Sequence, residues 1–212
     1  MRLSIRFLLF ATIAFQAEAG LAVENLSYQV LDKQGDFEIR QYPDHLVAEV
    51  TVSGDFDEAG NRAFRPLFNY ISGQNAPQSE IAMTAPVNQI KAGEEIAMTA
   101  PVNQLEAGID RHVVQFVMPE KFTLDTLPQP TNQQVQIKRV DGKTLAAIQY
   151  SGFWSENNYK EHEAELMDRL REAGLQAIGQ PIYARYNGPL TPWFLRRNEV
   201  LVEVREEATL AP

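Results

Sequence analysis

An α+β domain, in which two helices cover a curved, mostly antiparallel sheet or open barrel, is the fold class this sequence predicts. Three observations lead there. Strand-like and helix-like segments follow one another as strands, helix, strands, and then again strands, helix, strands, an order that suggests two similar halves. The short strand-like runs are separated mainly by Gly- and Asp-containing turns, which is the pattern of hairpin connections. The chain of 212 residues shows no long linker, and its 44% apolar and 22% charged residues are those of a globular protein. Residues 20–212 therefore read as a single domain.

Residues 1–19 stand apart. Arg2 and Arg6 precede an apolar run over 7–15, and Ala17-Glu18-Ala19 then places small residues where a signal peptidase reads them. This pattern predicts a signal peptide cleaved after Ala19, hence export, with the periplasm as the expected compartment. The run is too short to span a bilayer, so no transmembrane segment is expected in the mature chain.

Past that point, residues 26–31 and 37–42 are strand-like runs around a turn centred on Gly35. A third follows, in which Leu46, Ala48, Val50 and Val52 alternate with more polar positions. Ser53-Gly54-Asp55 offers caps for a helix, and Phe56, Ala59, Ala63, Phe64, Leu67, Phe68 and Ile71 recur at helical spacing until Ser72-Gly73 stops it. Residues 112–118 form another strand, ended by Pro119. Strands over 135–140 and 145–153 flank Asp141-Gly142, a dipeptide that predicts a tight hairpin. Ser155 caps a second helix carrying Tyr159, Leu166, Met167 and Leu170 to Gly174. Two closing strands, 181–186 and 198–204, bracket a Pro-rich connection.

Between the first helix and the 112–118 strand lies a tandem repeat. Residues 80–89 read EIAMTAPVNQ, and residues 95–104 read the same ten again. Two copies are too few for a solenoid. Ile96, Met98 and Ala100 alternate with Ala97 and Thr99, as Ile81, Met83 and Ala85 do with Ala82 and Thr84. Both copies thus predict short strands, closed by Pro86 and Pro101.

The formal charge is −9, and removal of Arg2, Arg6 and Glu18 with the leader takes it to about −10. An acidic chain of this kind is a poor partner for nucleic acid. Cysteine is absent, which excludes disulfides, thiolate metal sites and thiol catalysis. The three histidines, His45, His112 and His162, are not spaced as metal ligands. No nucleophile elbow, zincin helix, P-loop or dinucleotide fingerprint is present. Glu199 and Glu203 share one side of a strand whose other side is Val200, Val202 and Val204, and they read as a solvated face.

Several separated stretches are nevertheless familiar in combination: YQVLDKQGDFEIRQY from Tyr28, the IAMTAPV motif, FVMPEKF with the following LPQP, Ser151-Gly152-Phe153 before the second helix, and YARYNGPLTPWFLRRNEV from Tyr183. In that order, over nearly all of the mature chain, they resemble the SOUL haem-binding protein family. The doubled motif resembles the arrangement of bacterial members. The resemblance implies a distorted, mostly antiparallel β-barrel of two similar halves with two helices packed on it. It also implies binding of haem or another tetrapyrrole in a hydrophobic cleft beside the first helix, often without a protein axial ligand. A histidine proposed as ligand in some vertebrate members directly follows the Glu-Ile-Arg stretch, and here that position is Gln41.

A haem binder needs apolar walls and a few cations for the propionates. The first helix offers Phe64, Leu67 and Phe68, with Arg62 and Arg65 near its edge, although such a stripe also fits plain core. Arg196 and Arg197 are the second source of cations. Either could meet a propionate, and at least one is expected in structural bonds with Glu199, nearby carbonyls or a helix end. Trp193 and Phe194 could close a cleft or anchor their loop to the core. Met83 and Met98 could offer thioether sulfur to iron but read more simply as core filler.

Three functions are consistent with these residues. The leading one is an exported tetrapyrrole-binding protein for haem buffering, transfer or detoxification. The alternatives are an enzyme acting on a tetrapyrrole, for instance removing its metal, and a small-molecule effector-binding module.

Overall fold

The computed structural model describes residues 23–78 and 93–206. The signal peptide expected over 1–19 and the first repeat copy, 80–89, lie outside the described residues. Strand β1 (Glu24–Asn25) is followed by β2 (Gln29–Gln34), β3 (Phe37–Tyr42) and β4 (His45–Ser53), then helix α1 (Phe56–Ile71) and β5 (Asn75–Ala76). From residue 93 onward come β6 (Thr99–Ala100), β7 (Val102–Glu106), β8 (Arg111–Val117), β9 (Gln129–Pro130), β10 (Gln136–Val140) and β11 (Lys143–Tyr150). Helix α2 (Glu156–Glu172), β12 (Leu175–Ala177), β13 (Ile182–Arg185), a 3-10 turn (Trp193–Leu195) and β14 (Asn198–Glu206) complete the chain.

The main sheet has the order β10-β4-β8-β7-β13-β14-β11-β3-β2, with β12 added beside β14, and every pairing in it is antiparallel. It reads the same from either side of the central β7–β13 pair. Strands β4, β8 and β7 correspond to β11, β14 and β13, and each half carries one helix. The α+β class and the two similar halves are as the sequence predicts. The sheet does not close into a hydrogen-bonded ring, so the barrel is open and distorted.

How it bends differs from expectation. Asp141-Gly142 is no hairpin, because β10 pairs with β4 while β11 pairs with β3 and β14. The connections β3–β4 and β10–β11 instead run side by side, so two long strands form one antiparallel ribbon that turns a corner at Pro43-Asp44 and Asp141-Gly142. The Asp44 carboxylate fixes that corner. It accepts from the Gly142 amide at 2.6 Å and pairs with Arg139. A Cβ at position 142 would sit 2.8 Å from the Tyr42 carbonyl oxygen, so glycine is there for closeness and not for hairpin geometry. Dipeptide chemistry cannot tell these two uses apart.

The repeat departs as well. In the second copy only Thr99 and Ala100 pair before Pro101, in a parallel bridge to β1, and the substantial strand β7 begins after the proline. Ile96, Thr99 and Ala100 are buried while Ala97 and Met98 are exposed, so the strict alternation is broken.

Both helices lie on one face of the sheet. Under α1, Ala63, Leu67, Tyr70 and Ile71 pack on Ala48, Val50, Val114 and Phe116. Pro66 removes one intrahelical hydrogen bond, and packing of this face holds the helix through it. Under α2, Tyr159, Leu166 and Leu170 pack on Ile148, Tyr150, Val200 and Val202. Ser155 accepts from the Asn158 amide at the N-terminus, and Gly174 at φ +65° ends the helix as anticipated. The N-termini of the two helices meet where Asp57 accepts from the Glu156 amide at 2.8 Å.

The opposite face is where the reading of Glu199 fails. Glu199 is fully buried, not solvated. Its oxygens accept from Arg40 at 2.7 and 3.0 Å, from Arg197 at 2.7 and 3.0 Å, and from the Tyr186 hydroxyl at 2.7 Å. Arg40, itself 1% exposed, also donates to Glu38 at 2.7 Å and stacks over Tyr28. Glu203, by contrast, sits near the edge and pairs with Lys143 at 3.2 Å. Strand alternation places the two glutamates on one face but cannot show that this face closes on itself.

Truncating Glu199 to alanine should cost about 3–5 kcal/mol, because Arg40 would be left buried without its main partner. Urea unfolding measures this, and the Arg40→Met/Glu199→Leu double variant should lose less than the sum of the two single variants. At Glu38, burial raises the carboxyl pKa, but bonds and charge from Lys33 and Arg40 outweigh it and hold the group below its ordinary value. Its contribution is therefore present above the unfolded value of roughly 4.3 and is lost as pH falls through the folded value. Glu38→Gln should flatten the acid limb of a stability-versus-pH curve below about pH 5.

Candidate ligand-binding cleft

On the helix side of the sheet, over the central strands β7 and β13, lies a cleft of about 410 Å³. That size falls within the range of about 300–1,000 Å³ usual for small-molecule sites. Gly60, Asn61 and Phe64 of α1 form one wall, Met98 to Ala100 of the second repeat copy another, and Trp154 with the loop from Tyr186 to Pro189 a third. Val102, Gln104 and Val114 form the floor, together with Arg185, the one charged residue among the described lining. A larger depression of about 690 Å³ runs along Leu46 and Phe122 elsewhere on the surface, but it carries Asp44, Glu120, Asp125 and Arg139 and suits an apolar ligand less well.

The walls are held from behind. The Trp154 indole donates to Asn198 at 2.8 Å, and Asn198 donates to the Gly152 carbonyl at 3.3 Å. Phe64 stacks nearly parallel on Phe68 at 5.6 Å and meets Phe116 edge-on at 5.6 Å. Gln104, almost wholly buried, donates to the Phe56 carbonyl at 2.9 Å. The corresponding place beside α2 is crossed by ion pairs. Lys160 bridges there to Glu106 at 2.9 Å and Glu163 at 3.0 Å, and the Tyr183 hydroxyl bonds Glu163 at 2.6 Å.

Of the seven residues singled out in the sequence, Phe64 alone lines this cleft. Leu67 is fully buried beneath α1, and Phe68 is half-exposed one turn further along, behind Phe64. Arg62 donates to the Ser53 carbonyl at 2.7 Å and pairs with Glu58. Arg65 points outward and is exposed. Arg196 donates to the carbonyls of Thr191 at 2.8 Å and Pro189 at 3.0 Å and stacks over Trp154 at 4.1 Å. Arg197 is committed to Glu199. Both members of the pair are thus in structural bonds.

Trp193 and Phe194 neither close the cleft nor anchor in the core. They stay half-exposed, with Trp193 stacked on Phe153 at 5.3 Å. Met98 is no core filler, being 38% exposed on the cleft wall. Gln41 lies outside the cleft and accepts from Thr144 at 2.7 Å. His45 and His162 bond nearby carbonyls, whereas His112 is buried with Nδ1 unpartnered, edge-on to Phe56. Among the described residues no cluster of His, Asp or Glu could hold a metal ion, and no helix is long and apolar enough to cross a membrane.

The cleft residues missed at the sequence level, Gly60, Trp154 and Arg185, come from three segments far apart in the chain. Trp154 directly follows Ser151-Gly152-Phe153 and Arg185 lies within the stretch from Tyr183, but nothing local marks them as facing one another.

The family model described as SOUL heme-binding protein matches residues 23–203. Heme-binding protein 2 of Homo sapiens is 30% identical over 179 residues, covering 82% of this chain and 81% of that one. Heme-binding protein 1 of Xenopus laevis is 29% identical over 166 residues, covering 77% and 81%. Among solved structures, the C-terminal domain of EcmrR superposes with a TM-score of 0.58 at 11% identity, covering 84% of this chain and 98% of that one. A hydrolase from Listeria innocua gives 0.54 at 12% identity, covering 82% and 94%. At such identities the two structures share the fold alone. The match over residues 23–203 means that the chain belongs to the SOUL heme-binding protein family.

Proposed function

We propose that the cleft beside α1 binds haem or a related tetrapyrrole. The observation that carries this reading is an apolar cavity of small-molecule size, walled by Phe64, Met98 and Trp154, in a chain of a family whose relatives are named for haem binding. Phe64, Met98, Trp154 and the 186–189 loop would hold a macrocycle by its apolar surface. Burial of its apolar ring supplies the affinity. The leader-like residues 1–19 add export to this reading, with haem buffering, transfer or detoxification as the role.

The residues present fit such a group through their walls. No histidine lines the cleft among the described residues, and Met98 carries the one soft donor. We therefore assign retention to packing on the ring and not to a bond from protein to iron.

Titration of the mature protein with haemin, followed by the Soret band and by quenching of Trp154, tests the site. Phe64→Ala should weaken binding roughly tenfold, about 1.4 kcal/mol, while Phe68→Ala and Arg65→Gln should leave it unchanged. Absence of saturable binding at micromolar haemin defeats the reading. Iron-free protoporphyrin should bind within a few-fold of haemin. A much larger loss, reproduced by Met98→Ala with haemin, would assign the iron a thioether ligand instead.

A further inference from the structure

We propose that Arg185 reads a carboxylate of the bound ligand from the floor of the cleft, making the site selective for tetrapyrroles that carry a free acid. The inference rests on the cleft being the tetrapyrrole site. Arg185 ends β13 on the helix side of the sheet, where its Nε–H donates to the Tyr159 hydroxyl and one Nη2–H to the Gln104 carbonyl oxygen, both at 2.9 Å. Tyr159 and Gln104 are almost wholly buried, so the guanidinium is held in a fixed position. Its plane is further confined by the Trp154 ring at 5.4 Å.

Both acceptors are neutral. Among the described residues no carboxylate oxygen lies within 4.0 Å of Arg185, in contrast to Arg40 and Arg197, which share Glu199. A guanidinium carries five N–H donors. Two are used, which leaves Nη1 without a described partner. A half-buried cation beside apolar walls is costly until an anion joins it, and the planar fork suits a carboxylate.

Helix α1 is shaped around this group. Gly60 lies inside the helix, where glycine costs roughly 0.5–1 kcal/mol against alanine. A Cβ there would come within 2.5 Å of Arg185 Nη1. The missing side chain leaves the guanidinium room at the cleft edge, and it explains a residue that helix propensity disfavours. Arg62 and Arg65 are exposed on α1, Arg197 is bound to Glu199, and Arg196 is spent on the Thr191 and Pro189 carbonyls, and none of the four is among the described cleft lining.

The test compares iron-free mesoporphyrin, a diacid, with its dimethyl ester, by tryptophan quenching against the mature protein. Wild type should bind the diacid at least tenfold more tightly, with the preference shrinking as salt rises. Arg185→Gln should bind the two porphyrins equally. Gly60→Ala, which favours the helix, should also reduce the preference by crowding Nη1, and it remains informative if Arg185→Gln unfolds. Equal binding of acid and ester by wild type, or full preference in both variants, overturns the role of Arg185 while leaving the cleft assignment standing. Binding of neither porphyrin by wild type overturns both.

Discussion

A carboxylate buried without water is tolerable only when every lone pair is met, and Glu199 meets that condition with two arginines and a tyrosine. The rest of the molecule is arranged around keeping it so. Strand β14 carries Glu199 and pairs with β11, β13 and β12, so its position sets that of half the sheet. Arg40 ties β3 to it, and Arg197 and Tyr28 bring in the segment before β2. Burial, opposed by the nearby Arg40 charge, raises the Tyr42 phenol to about 12, so this tyrosine stays neutral beside the pair at any ordinary pH. With Glu199 fixed inward, Val200 and Val202 must face α2, and Asn198 must face Trp154. The buried ion pair and the cleft wall are therefore one residue apart along one strand.

The second constraint is the corner of the bent ribbon. A flat antiparallel ribbon of this length would leave one face in water. Turning it at Pro43-Asp44 and Asp141-Gly142 folds Val47, Val117, Leu145 and Leu201 against one another on the inner side. The outer side is then left to the helices. Because α1 and α2 meet at their N-termini, where Phe56 packs on Tyr159 and Tyr183, Trp154 just ahead of α2 shares the cleft with Gly60 and Phe64 of α1.

Much of this was legible in the chain. Helix α1 is bounded in the sequence as it is in space, since Ser53-Gly54-Asp55 and Ser72-Gly73 supply local signals that no long-range contact opposes. The two-halved strand order was legible for the same reason. Glu199 was misread because alternation reports sides, not closure. Asp141-Gly142 was misread because a glycine needed for close approach looks like one needed for a turn. The site was hardest. Phe64 was found through helical spacing, which also brought in Leu67 on the buried side. Arg185 was passed over for the conspicuous Arg196-Arg197, whose proximity in sequence reflects two separate structural duties. What marks Arg185 is a glycine 125 positions earlier, a relation visible only once α1 and β13 are side by side.

The internal two-fold of the fold has a bearing on stoichiometry. A domain made of two like halves would be expected to present two like crevices, one per helix, and so to saturate at two ligands. Beside α2 the equivalent space is occupied by Lys160, Glu106 and Glu163 bonded across it, whereas beside α1 it holds glycine, methionine and tryptophan around a single guanidinium. The duplication is thus preserved in the backbone and broken in the side chains, so the two halves do not offer the same crevice.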